Sequence, residues 1–382
     1  MKKLFLFAAL LCTAVALCGC GQKKAEGIQV VSGSEIESPV RPVVSEEPKP
    51  QLSPVLGLLL DAYSNIDPRE LRTQEDVENV TVLRIWLDNS GKVKENVSIR
   101  ELTLFPNLQE LQLWNIRIDD LDALPELPHL ERLMLANCGV SDCSAIGKLE
   151  NLVWLKLSGN DIADSEPLSR LKELQQLDIS GNDITNLDFL SGLSNLETLN
   201  ISDTPIASFE GLETLKMLES LDVSGNTFDS MDFLSGLHSL KELDISDCGI
   251  RSLDWLEQLP SVEILNISDN PLGTLTGIER AEGLIDLKLR NCRIDSIEPL
   301  AHLPKLTSLD VSNSQYFKED HNEIASFEPL ASLDLLEALT INQADVPLLA
   351  SLAGKSGAKI CCTDDFFGSP WMSVEEALSK NT

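Results

Sequence analysis

Leu-x-(Leu/Ile/Val) pairs begin at Leu111, Leu133, Leu155, Leu177, Leu199, Leu221, Leu243, Leu265, Leu287 and Leu309, and every step is the same, 133 − 111 = 22. The stretch "LDISGNDITNLDFLSGLSNLETL" at 177–199 returns nearly unchanged as "LDVSGNTFDSMDFLSGLHSLKEL" at 221–243, two steps later. A fixed period of this size marks a solenoid of stacked coils. Within "LQQLDIS", Leu177 and Ile179 alternate with Gln176, Asp178 and Ser180, the period of two of a strand with one buried face. After the turn, Leu187, Leu190, Leu193, Leu196 and Leu199 fall every third residue. A 3.6-residue helix would smear that series around its surface, whereas a 3-10-like segment keeps it on one face. Each coil is thus a short strand, a turn and a tight return, and only stacking buries its leucines.

One position of the turn reads Ile116, Cys138, Asn160, Asn182, Thr204, Asn226, Cys248, Asn270, Cys292 and Ser314, polar or small in every coil after the first. Inward asparagines here, Asn160, Asn182, Asn226 and Asn270, are expected to bond free backbone groups of adjacent coils, which must be satisfied when buried. This strand-plus-ladder pattern resembles the leucine-rich repeat family, and the 22-residue length with Ile-x-x-(Leu/Ile)-x-x-Leu after the Asn is most similar to the internalin-like type. The resemblance covers roughly residues 81 to 344. It implies an α/β curved solenoid, with a parallel sheet on the concave face, 3-10 or irregular returns on the convex face, and ligands held on the strand face. Fold of this kind does not fix the partner.

Three departures from the period are visible. The early coil around Ile85-Trp86-Leu87 is longer: counted from Ile85 to Leu111, its step is 111 − 85 = 26. From Leu309 to Leu339 the step is 339 − 309 = 30, which makes the segment around "QYFKEDHN" an eight-residue insertion. The ends are not repeats. Asp67 and Pro68 offer a helix start after the apolar "PVLGLLL", and Ser373 with Glu376 offers a capping box behind Phe366, Phe367 and Trp371. Terminal coils need covers, so 55–80 and 345–382 are expected to be caps around the repeats at 81–344.

The first residues speak of compartment. Lys2 and Lys3 precede the apolar run Leu4 to Leu17, too short to span a membrane comfortably. The run ends in Leu17-Cys18-Gly19-Cys20, which resembles the bacterial lipoprotein signal. That resemblance implies removal of residues 1–19, lipidation of Cys20 and an extracytoplasmic protein anchored to the membrane of a bacterial cell envelope. Residues 20–54, with Pro, Ser, Glu and Val in no sustained period, are expected to be a flexible tether.

Chemistry is harder to find. No Gly-rich phosphate loop, paired Cys-x-x-Cys or His-Glu-x-x-His is present, and His129, His238, His302 and His321 pair with no strand nucleophile. No catalytic residue, metal site or cofactor is expected. A formal net charge of −31 opposes nucleic acid as a partner, and its bland reading is a halophilic origin or simple solubility. Cys248 and Cys292 share a column two coils apart, about 10 Å at strand spacing and beyond disulfide reach, so buried thiols are expected.

The strand period names the outward residues. Trp86, Trp114, Met134 and Trp154, with Arg132 and Lys156 beside them, gather toward the start. They are binding anchors, or they lie under the N-terminal cap or the tether. Further along come Asp178, Asn200, Asp222, Asp244 and Asn266, with serines beside them. That stripe suits a basic peptide or calcium, or it is a wet, soluble face. The leading expectation is a membrane-anchored module that holds a protein or peptide on its strand face. The alternative is a structural, envelope-organising surface protein without a discrete ligand.

Overall fold

The computed structural model describes residues 52–87, 98–118, 120–314, 318–354, 357–362 and 371–380. The chain divides into two units, Met1–Glu46 and Glu47–Thr382, and the described residues all lie in the second. The signal segment 1–19, Cys20, most of the tether, residues 315–317 of the insertion, and Phe366 and Phe367 therefore fall outside the described residues.

One sheet runs through the second unit in chain order. Its strands are β1 (Val82–Trp86), β2 (Glu110–Trp114), β3 (Arg132–Ala136), β4 (Trp154–Lys156), β5 (Gln176–Asp178), β6 (Thr198–Asn200) and β7 (Ser220–Asp222), then β8 (Glu242–Asp244), β9 (Ile264–Asn266), β10 (Asp286–Lys288), β11 (Ser308–Asp310), β12 (Ala338–Ile341), β13 (Lys359–Cys362) and β14 (Met372–Ser373). Neighbours up to β13 pair in parallel, and β14 closes the far edge antiparallel to β13. Sequential parallel strands need a crossover, and here the crossover is the return segment, with short 3-10 helices such as Asp188–Gly192 and Asp232–Gly236. Leu187, Leu190, Leu193, Leu196 and Leu199 are all buried in one continuous core. The sheet is open, and the fold is a leucine-rich repeat solenoid.

Register corrects the first coil. Leu83 faces Leu111 and Ile85 faces Leu113, so the step of this coil is 111 − 83 = 28, where the expected alignment of Ile85 with Leu111 made it 26. A slip of two leaves every apolar residue on the inner face, so alternation alone does not exclude it.

A second regularity went unread. Asn115, Asn137, Gly159, Gly181, Asp203, Gly225, Asp247, Asp269 and Asn291 recur at the same step as the leucines, and all have positive φ, from 51° to 69°. Left-handed backbone costs most side chains roughly 1–2 kcal/mol, and Gly, Asn and Asp tolerate it best. The "SGN" and "SDN" signatures are therefore turn chemistry. Neighbours also fit one another: a Cβ on Gly159 would lie 2.0 Å from the Asn137 side-chain amide, and one on Gly225 2.4 Å from Asp203 Oδ1.

The N-terminal cover differs from expectation. The apolar run is itself helix α1 (Pro54–Tyr63), with Pro at its first turn and Ser53 Oγ accepting from Leu56 N at 3.1 Å. Asp67-Pro68 opens only a turn, and α2 (Gln74–Glu78) starts at Thr73 through a capping box with Asp76. Ser53-Pro54 gives a better start than Asp67-Pro68 because leucines follow it: Leu56, Leu59 and Leu60 are buried on the sheet edge. At the other end Ser373 Oγ accepts from Glu376 N at the start of α3 (Val374–Lys380), while the Glu376 carboxylate pairs with Lys380.

Candidate functional site: the open face of the sheet

Parallel register sorts the outward side chains into three columns that run across the strands. The first holds Val82, Glu110, Arg132, Trp154 and Gln176; the second Arg84, Gln112, Met134, Lys156, Asp178, Asn200, Asp222, Asp244 and Asn266; the third begins Trp86, Trp114, Ala136. Trp86 and Trp114 are thus directly opposite one another, 41% and 40% exposed. Trp154 lies on the same face in the first column, two strands from β2 and on the other flank, with half-buried Met134 on the diagonal between. The three tryptophans share a face and do not form one cluster.

Trp154 belongs to a charged network instead. Arg132 Cζ sits 4.7 Å from the centre of its ring, a cation–π contact. Arg132 Nε also donates to Glu110 Oε2 at 3.2 Å, and Arg84 Nε donates to Glu110 Oε1 at 2.7 Å. Glu110 is only 8% exposed, so its charge needs both partners, and Gln112 Nε2 adds a third donor at 2.8 Å. Arg84 and Glu110 were missed as site residues; extending the column of Arg132 one regular coil earlier names Glu110, and the step of 112 − 84 = 28 in the next column names Arg84.

The second column is more than a wet stripe. Ser180 donates both its N–H, at 3.1 Å, and its hydroxyl, at 2.7 Å, to Asp178 Oδ1. Ser202 on Asn200, Ser224 on Asp222 and Ser246 on Asp244 repeat the arrangement, each from the residue two positions on. These are Asx-type turns that satisfy the N–H where each strand ends. Across strands, Asn200 Nδ2 donates to Asp222 Oδ2 at 3.0 Å, Asn266 Nδ2 donates to Asp244 Oδ2 at 2.7 Å, and Lys156 pairs with Asp178. No ion pair reaches Asp222 or Asp244 among the described residues. Burial, then the neighbouring Asp244 charge, pushes the Asp222 carboxyl up to about 6.

Beneath the face lies the ladder. Asn182 Nδ2 donates to Leu157 O and Ile179 O, both at 2.9 Å, and Oδ1 accepts from Ile162 N at 3.1 Å. Asn160, Asn226 and Asn270 donate to the same pair of carbonyls in their own coils. Cys138, Cys248 and Cys292 stand in for Asn with weaker thiol bonds to the preceding coil, Cys138 Sγ reaching Leu113 O at 3.4 Å. They are free thiols, and burial pushes each up to about 12, which makes them poor nucleophiles. Ser314 does not fill the last rung. Asn322 does, its Nδ2 donating to Leu289 O at 2.7 Å and its Oδ1 accepting from Cys292 N at 2.9 Å, because the insertion displaces the rung by its own length.

Among the described residues no group of His, Cys, Asp and Glu is placed to hold a metal ion. His129, His238 and His302 lie on the returns, and His321 Nε2 is 2.8 Å from Ser314 O in the insertion. The shallow depression beside the insertion is lined by Asn313, Asn322 and Asn342, whose amides already bond backbone. No helix among the described residues is long and apolar enough to cross a membrane.

A family model described as leucine rich repeats (2 copies) matches residues 150–192 and 238–280. No curated protein matches the chain. Among solved structures, an internalin (InlF) from Listeria monocytogenes is similar at 23% identity and a TM-score of 0.61, over 80% of this chain and 86% of its own. A leucine-rich repeat protein of Leptospira interrogans is similar at 22% identity and a TM-score of 0.56, over 75% and 73%.

Proposed function

We propose that this chain, which is a leucine-rich repeat protein with internalin-like repeats, binds a protein or peptide partner on the open face of its sheet. The observation that carries the reading is the pair Trp86 and Trp114, opposite one another and each about two-fifths exposed. Large aromatics on a strand face contribute nothing to a core there, and such residues dominate binding energies when a partner desolvates them. Their exposure supports a binding module over an envelope-organising role without a ligand. Lipidation at Cys20 would place that module outside the cytoplasm, held to the bacterial envelope at the end of its tether.

Partner capture on immobilised full chain, compared with Trp114→Ala, tests the reading. Recovery of the same partner at equal strength by both proteins counts against it, and a partner lost with Trp114 supports it.

A further inference from the structure

Charges on the open face are ordered along the sheet. At the β1–β3 end, Arg84 and Arg132 share the single carboxylate of Glu110, which leaves a positive excess in the first and second columns, across the face from the exposed Trp86 and Trp114 in the third. Next, Lys156 and Asp178 cancel. At β7 and β8, Asp222 and Asp244 stand on adjacent strands with neutral donors only, from Ser224, Ser246, Asn200 and Asn266. The lane between the two ends, along the third column, is floored by Ala136 and serines, with Ser202 and Ser224 buried. It is low and open, so a chain can cross the strands along it.

We propose that the open face accepts an extended segment that crosses the strands, with an apolar or aromatic side chain against Trp86 and Trp114 and one or two Lys or Arg side chains over Asp222 and Asp244. This rests on, and deepens, the protein-binding reading above. Charge complementarity selects the occupant. A basic residue is repelled where Arg84 and Arg132 outnumber Glu110 and is attracted where two carboxylates lack a cation. Geometry sets the spacing. Five to six strand steps of about 4.8 Å separate β2 from β7 and β8, roughly 24–29 Å, which an extended chain covers in about seven to nine residues.

Fluorescence anisotropy of labelled peptides on the full chain tests this. The probes are one Trp and an Arg-Arg pair joined by two, six or ten alternating Ser and Gly residues, in both chain orders, with Glu-Glu controls. The six-residue linker is expected to bind about tenfold more tightly than the two-residue one, and the Glu-Glu peptides to fail. Asp222→Asn with Asp244→Asn should erase the spacing preference and the salt dependence. That double variant keeps the fold, because Asn200 and Asn266 already make the same serine bond in this column. Trp114→Ala should weaken every peptide about tenfold or more. Equal binding at all spacings, or binding indifferent to the double variant, overturns the inference. So does sedimentation showing that the full chain self-associates through Trp114, because the occupant is then a second copy. Spacing-blind peptides alongside Trp114-dependent partner capture sink this inference and leave the protein-binding reading standing; indifference of both to Trp114 removes both.

Discussion

Trp86 and Trp114 sit directly across from each other on β1 and β2, although the step between them is 114 − 86 = 28 rather than that of the regular repeat. The pairing places two exposed rings side by side at one end of a column that continues through Ala136 and a run of serines from Ser158 to Ser268.

Because both rings meet the same side of a partner, Trp86→Ala and Trp114→Ala should each weaken a captured partner by about 2 kcal/mol or more, on the order of thirtyfold. Titration calorimetry on the single and double variants checks it. Truncations that share a contact should be non-additive, and strict additivity would place the rings in separate contacts.

The ladder gives a stability prediction. Asn182→Leu strands Ile179 O and Ile162 N in the core, at roughly 1–3 kcal/mol per unsatisfied group, and leaves Leu157 O with Asn160 Nδ2 alone. Asp178→Ala removes only half-buried bonds to Ser180 and Lys156 and should cost less, about 1 kcal/mol. Thermal melts followed by circular dichroism rank the two. The reverse order would contradict the strand register.

Glycines in the left-handed column are separable by their neighbours. Gly225→Ala meets Asp203 Oδ1 at 2.4 Å on top of a φ of +69°, whereas Gly181→Ala finds nothing nearer than 3.6 Å at a φ of +62°. Both should lose about 1–2 kcal/mol to backbone strain, and Gly225→Ala should lose more. Denaturant midpoints measure the difference.

Asp222 makes stability depend on pH. Its carboxyl is raised from 3.8 to about 6, so the folded state holds the proton more tightly than the unfolded chain does. Its contribution is fully present below about pH 4 and is lost as pH rises through about 6. At pH 7 the charge is a cost, of at most about 3 kcal/mol at ~1.4 kcal/mol per unit. Asp222→Asn should therefore raise the melting temperature at pH 7 and flatten the decline between pH 4 and 6. An unchanged slope in that window would show that Asp222 titrates normally.

Replacing Cys20 with Ser should move the protein from the membrane to the soluble fraction on cell fractionation. Retention of all of it with membrane would rule the anchor out.

The repeat, the return segments and the Asn ladder were legible in the sequence because each is a column at a fixed step, and a column averages out local exceptions. Errors arose where the step changes. The first coil slipped by two because Leu83, Ile85 and Leu87 alternate equally well in either register. Ser314 was assigned a rung that Asn322 holds, because counting by a fixed step does not know where an insertion enters. Glu110 escaped notice because a carboxylate reads as surface until Arg84 and Arg132 are placed beside it. The serine bonds to Asp178, Asp222 and Asp244 were hidden for a different reason: Asx turns are local geometry, while the acidic stripe was read only across strands.

Asn313 and Asn322 clasp each other, Asn322 N donating to Asn313 Oδ1 at 2.7 Å and Asn313 Nδ2 donating to Asn322 O at 3.0 Å. The chain thus leaves the solenoid and re-enters it through one doorway. Lengthening sequence between the clasp residues should add only closure entropy, about 0.6 kcal/mol per doubling, while the coils on either side keep their phase. The clasp is a graft point: foreign sequence could be spliced in at the rim, by evolution or by an engineer, without rewriting the ruler it hangs from.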